Sequence, residues 1–137
     1  QILGLLEKQF KEGQLTMESY LELCDQSGKE PDPNEMPPTL KDYPSEVQVA
    51  FLLHDYLPEN WDGMSGSYLG KDYSALEMLL KAHEVEDVKT CIYFIKLIDG
   101  YNIRKINLEQ DKKRKAEERK AKAKAGRGTK PGINVQG

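Results

Sequence analysis

Residues 87–125 read DVKTCIYFIKLIDGYNIRKINLEQDKKRKAEERKAKAKA, and this stretch decides the fold. In its first half Val88, Cys91, Ile92, Ile95 and Ile98 recur at helical spacing on one side. Phe94, Leu97 and Tyr101 line a second side. That is the pattern of a helix with an apolar face against a core. Asp87 is placed to cap its start. After Ile106 the apolar pattern fades while strong helix formers continue, so one long last helix runs out of a packed domain into a charged extension. Gly100 inside it costs roughly 1 kcal/mol relative to alanine, which points to a close contact or a bend.

The preceding chain supplies the helices that this one needs as partners. Residues 45–57 carry Val47, Ala50, Phe51, His54 and Leu57 on one stripe and Val49, Leu52, Leu53 and Tyr56 on another. A helix apolar on two sides is a central one. Pro44 suits its first turn and Pro58 ends it. Ile2, Leu5, Leu6 and Phe10 share a face, with Gly13 as a stop. Met17, Tyr20, Leu21 and Cys24 share another, between a Thr16 cap and Gly28. Together these two read as a helical hairpin. Ser74-Ala75-Leu76-Glu77 has the capping-box pattern, which starts a helix near Asp72 or Ser74 with Leu76, Leu79 and Leu80 as its core face. No segment alternates with period two long enough for a strand. The expected fold is all-α: about five helices with a long basic C-terminal helix or tail.

Two segments interrupt the helices. Pro31, Pro33, Pro37, Pro38 and Pro44 make residues 29–44 an extended connector, with Met36, Leu40 and Tyr43 as apolar anchors. Residues 58–71, PENWDGMSGSYLGK, form a Gly-rich loop. The domain organisation that follows is an acidic helical domain over 1–106 and a basic helical extension and flexible tail over 107–137. Gly126, Gly128, Pro131 and Gly132 are expected to break the helix there.

Composition supports this division. The chain has 137 residues, 38% of them hydrophobic and 31% charged, with a net charge of −3. Residues 1–103 hold 8 Lys+Arg and 19 Asp+Glu, a balance of −11; residues 104–137 hold 12 and 4, a balance of +8. No apolar run approaches the ~18 residues of a spanning helix, which excludes a membrane protein. Cys24 and Cys91 sit inside apolar helical patterns, which favours buried free thiols in a reducing, cytoplasmic compartment over a disulfide framework.

Enzyme chemistry finds little support, and no catalytic, cofactor or metal residue is assigned. Gly70-Lys71 resembles the end of a phosphate-binding loop, but Ser65 stands where the first glycine belongs and Asp72 where Ser or Thr binds magnesium. Gly63-Met64-Ser65-Gly66 matches the Gly-x-x-Gly of an RNA-binding KH loop without its flanking context. Glu84, Glu86 and Asp87 read as a solvated inter-helix turn rather than a metal cluster. His54 reads as a hydrogen-bonded core histidine, and His83 as a complement to a helix end.

Two features suggest binding instead. Trp61, Met64, Tyr68 and Leu69 give the 58–71 loop residue types enriched at interfaces, so it is a candidate protein-recognition loop as well as a turn packed on the core. Lys112, Lys113, Arg114, Lys115, Arg119, Lys120, Lys122 and Lys124 fall within thirteen residues. Such a run neutralises phosphates, docks on an acidic protein surface, or contacts the chain's own acidic head. It also suits a solvated helix end. No aromatic is interleaved with it, so base stacking is not implied.

Met36-Pro37-Pro38, Leu57-Pro58-Glu59-Asn60-Trp61-Asp62-Gly63-Met64-Ser65-Gly66 and Tyr68-Leu69-Gly70-Lys71-Asp72, with the Lys/Arg/Glu/Ala end, together resemble small accessory or assembly proteins of T4-like tailed bacteriophages. Trp61, Gly70, Asp72, Ala75, Leu76, Ile106 and Asn107 are also similar in order to the C-terminal helical modules of phage replication proteins. Both resemblances imply a non-enzymatic part of a larger machine, in the host cytoplasm or the virion. The expected function is a virion-assembly or accessory component whose head docks on a protein partner and whose basic tail contacts nucleic acid or an acidic surface. The alternative is a replication or packaging accessory protein with DNA binding as its main task.

Overall fold

The computed structural model describes residues 2–11 and 14–129. Their elements are α1 (Ile2–Gln9), α2 (Met17–Ser27), a 3-10 turn at Leu40–Asp42, α3 (Ser45–Tyr56), β1 (Glu59–Trp61), β2 (Tyr68–Lys71), α4 (Leu76–Ala82) and α5 (Val88–Thr129). The protein is mostly helical, but an all-α assignment is too strict, because part of the Gly-rich segment forms a two-stranded antiparallel sheet.

The core lies between α3 and the first third of α5. Val47, Ala50, Leu53 and Leu57 meet Cys91, Ile95 and Ile98, with Leu76 and Leu80 of α4 and Leu6 of α1 closing the sides. The second stripe of α3 divides: Leu53 is fully buried, whereas Leu52 and Tyr56 are exposed. So α3 is central on one side only. The first two helices send their apolar faces to different partners. Phe10, just after α1, stacks on Tyr101 of α5 with ring centroids 6.0 Å apart. Tyr20 of α2 turns to the connector, where its hydroxyl accepts from the Asp32 amide at 2.9 Å.

Several local signals act as their chemistry requires. The Thr16 hydroxyl accepts from the Ser19 amide at 3.2 Å, and Gly28 ends α2 in the left-handed region at φ 70°. Asp87 accepts the Thr90 amide and hydroxyl at 3.2 and 2.7 Å. These bonds hold the Asp87 carboxyl below its ordinary pKa, the Thr90 hydroxyl contributing most. Connector residue Tyr43 is a buried anchor and bonds Gln9 at 2.6 Å, while Leu40 is exposed.

Other signals were overridden. Ser74 bonds Asp72 as an Asx turn at 2.9 and 2.6 Å, so it does not cap, and α4 begins later with no side-chain cap. Gly100 is not a close approach: α5 runs through it, and among the described residues a Cβ there meets nothing within 4 Å. Gly126 and Gly128 also lie within α5 and do not break it. The stop at Gly13 and the breakers Pro131 and Gly132 lie outside the described residues.

Candidate functional site: a helix-braced hairpin and a basic helical arm

Asp99 organises the head. It lies one turn beyond Ile95 on the core-facing side of α5 and is 5% exposed. A carboxylate at that depth is costly unless its oxygens are filled. Here they are. His54 Nε2 from α3 lies 3.0 Å from Oδ1, the Tyr73 hydroxyl donates to Oδ2 at 2.6 Å, and the Lys71 amide donates at 3.2 Å. One side chain therefore ties α3, α5, the end of β2 and the entry to α4. Burial and the Asp99 carboxylate together push the Tyr73 phenol far up, keeping it a donor.

The hairpin is fitted to this clamp. Tyr68 and Gly70 of β2 face α5 and Leu69 faces outward. Gly70 has φ +98°, and a Cβ there would sit 2.6 Å from Asp99 Oδ2 and 2.8 Å from Ile103 Cδ1. Farther along α5, Asn107 acts as a stand-in third strand. Its Oδ1 accepts the Tyr68 amide at 2.9 Å and its Nδ2 donates to the Tyr68 carbonyl at 3.0 Å. A neighbouring strand would make that same pair of bonds. At the tip, Asp62 accepts the Met64 and Ser65 amides at 3.2 and 3.3 Å and the Ser65 hydroxyl at 2.5 Å. Those donors, the Ser65 hydroxyl first, hold its carboxyl below the usual range.

This geometry removes the phosphate-loop reading of Gly70-Lys71. The Lys71 amide is committed to Asp99, and its Nζ donates to the Leu57 carbonyl at 3.1 Å. His54 is a hydrogen-bonded core histidine, as its stripe implies. His83 Nδ1 lies 3.1 Å from the Leu79 carbonyl at the end of α4. Among the described residues no three His, Cys, Asp or Glu side chains are grouped to hold a metal ion. Both cysteines are buried and free. No described helix is long and apolar enough to cross a membrane.

The four candidate recognition residues do not form one surface. Tyr68 is 1% exposed and belongs to the interior, which corrects its reading as a partner contact. Trp61 packs its ring on Tyr68 at 4.7 Å, Leu69 is exposed on the opposite face of the ribbon, and Met64 is exposed at the tip. Among the described residues the Tyr68 hydroxyl is enclosed without a hydrogen bond of good geometry, the Asn102 side chain being a weak neighbour at most. Burial, then the charges of Asp99 and Glu59, raise it to about 12, with the Asn102 side chain pulling the other way. Because an unsatisfied buried hydroxyl contributes nothing favourable, Tyr68→Phe is expected to leave stability within about 0.5 kcal/mol of the wild type or raise it. A urea denaturation midpoint checks this.

The eight candidate cations lie on the exposed part of α5. At about 100° per residue they divide into faces. Lys112, Lys115, Arg119 and Lys122 fall on one stripe; Lys113, Lys120 and Lys124 fall on a second. Ala116 and Ala123 lie between the stripes. Glu117, Glu118 and Asp111 fall on the other side, with Arg114, which pairs with Asp111. Lys115 also reaches Asp111, at 3.2 Å, and the carboxyl is held below its ordinary pKa with Lys115 as the first cause.

No family model, curated protein or solved structure matches the chain.

Sequence reasoning missed Asp99, Tyr73 and Asn107. A signal for Asp99 was present: it follows Cys91 and Ile95 by eight and four residues, so the helical period puts a carboxylate on the same core face that the His54 stripe meets.

Proposed function

We propose that the protein is a non-enzymatic interaction and assembly component, in which a clamped acidic head docks on a protein partner and the basic half of α5 is a helical arm for phosphates or acidic surfaces. The observation that carries this reading is that residues 104–129, with 11 Lys+Arg against 4 Asp+Glu, continue the helix that packs in the head. A tethered random coil loses conformational freedom when it binds; a preformed helix loses little. Two lysine-bearing stripes on either side of small alanines suit a helix lying along a polyanion with phosphates at both flanks. Phosphate contacts of this kind carry no sequence information. The setting inferred from the resemblance is a tailed-phage assembly. Binding DNA as the main task remains the second reading, favoured by the same two stripes.

The test is truncation. A chain ending after Leu108 keeps Asp99, Asn107 and every buried apolar residue of the core. It is expected to melt cooperatively, with only the helicity of the arm lost from its circular dichroism, and to lose duplex binding at low salt. Retained duplex binding by the truncated head would remove the arm from the proposal.

A further inference from the structure

The end of the head opposite the arm carries a groove of about 300 Å³ between the start of α3 and the α4–α5 turn. Its apolar lining comes from Val49 and Val85, and its rim carries Glu46, Glu84, Glu86 and Asp87. Among the described residues no lysine or arginine lines it; Lys89, whose charge acts on Asp87, is a nearby cation on the first turn of α5. Val49, Leu52 and Tyr56 recur at helical spacing on α3, and the Tyr56 ring meets His83 at 5.7 Å, so the apolar surface continues out of the groove.

We propose that this groove receives the basic arm of a second copy of the chain. The Lys112, Lys115, Arg119 and Lys122 stripe would face the rim carboxylates, with Ala116 and Ala123 letting the helix approach the apolar floor. Charge complementarity selects the occupant: a +8 arm meets a −11 head. Geometry makes the contact intermolecular. The groove lies at the first turn of α5, and Lys112 follows Val88 by 24 residues of unbroken helix, about 36 Å of rise. The arm cannot fold back on its own head. A contact between two different surfaces is heterologous, so it builds rings or open chains rather than a two-fold dimer. The inference rests on the arm being an anion-binding element.

The test is sedimentation velocity on the full chain at about 0.01 M and about 0.5 M salt, where the screening length differs several-fold. Two charge-reversed proteins accompany the wild type. One carries Glu46→Lys, Glu84→Lys and Glu86→Lys; the other carries Lys112→Glu, Lys115→Glu, Arg119→Glu and Lys122→Glu. The wild type is expected to associate at low salt and dissociate at high salt. Each reversed protein alone should associate at least about tenfold more weakly, and an equimolar mixture should associate again, because the unchanged basic arm of the first fits the unchanged acidic groove of the second and the reversed groove of the first fits the reversed arm of the second. A wild type that stays monomeric at low salt, association that survives arm reversal, or a mixture that stays monomeric overturns the proposal. Duplex binding by the wild type, measured in parallel, separates the two readings. A monomeric wild type that still binds duplex refutes the docking and leaves the polyanion arm standing.

Discussion

Asp99→Ala is expected to destabilise the head by about 3–5 kcal/mol, the range for removing one side of a buried, multiply hydrogen-bonded polar contact. The cause is what the change leaves behind. His54, the Tyr73 hydroxyl and the Lys71 amide all point at the carboxylate. His54 is left buried without its partner, and the half-buried Tyr73 hydroxyl and Lys71 amide lose theirs; an unsatisfied buried group costs about 1–3 kcal/mol before relaxation, and a half-buried one less because water reaches it. Asp99→Asn separates charge from shape. Its amide oxygen can still accept, but its NH2 faces donors, so a smaller loss is expected than for alanine. Urea denaturation of both variants reads the difference. Equal losses, or an alanine variant within about 0.5 kcal/mol of the wild type as at ordinary surface sites, would show that Asp99 does not organise the head.

Gly70→Ala is the second large effect, expected at about 2–6 kcal/mol. The backbone at φ +98° disfavours any side chain, a cost of about 1–3 kcal/mol. The new methyl would stand 2.6 Å from Asp99 Oδ2 and 2.8 Å from Ile103 Cδ1, and overpacking of this kind costs about 1–3 kcal/mol more. The Asp99 carboxylate cannot move aside without surrendering its three partners, whereas the Ile103 methyl can turn. Combining Gly70→Ala with Asp99→Ala therefore tests the contact. The double variant should lose less than the sum of the single losses, since each change removes part of what the other disturbs. Additive losses would show that the two residues do not meet.

The helical framework was readable because α3 and α5 carry their own apolar periods and because the caps that do form are local. Val47–Leu57 and Cys91–Ile98 present apolar stripes, and Thr16, Gly28 and Asp87 act within four residues of themselves. The hairpin was not readable for the opposite reason. Its strands have three and four residues, β1 is wholly exposed, and its register slips between Asn60 and Trp61. β2 does alternate, Tyr68 and Gly70 inward and Leu69 outward, but over too few residues to read as a period. What stabilises it lies elsewhere in the chain: Asn107 is 39 residues from Tyr68, and Asp99 is 28 from Lys71. The failed capping box has a local cause. Asp72 sits two residues before Ser74 and captures its hydroxyl at 2.6 Å, removing the cap that Glu77 would have completed. The basic arm was legible as charge and as helix; its continuation through Gly126 and Gly128 was not, because glycine disfavours a helix without forbidding it.

The central claim is that these stripes bind polyanions as a rigid helix, and the salt dependence of duplex binding tests it most directly. Log affinity falls with log salt by about 0.9 per phosphate neutralised. One stripe of four cations gives a slope of about −3.6, and both stripes, with seven, give about −6.3. Fluorescence anisotropy of a labelled duplex over a salt series is expected to fall between these limits. Lys112→Gln, Lys115→Gln, Arg119→Gln and Lys122→Gln together should reduce the slope by up to about 3.6 while the thermal melt of the head stays unchanged. No binding at about 0.01 M salt, where the screening length is greatest, or a slope indifferent to those four changes, would contradict the account.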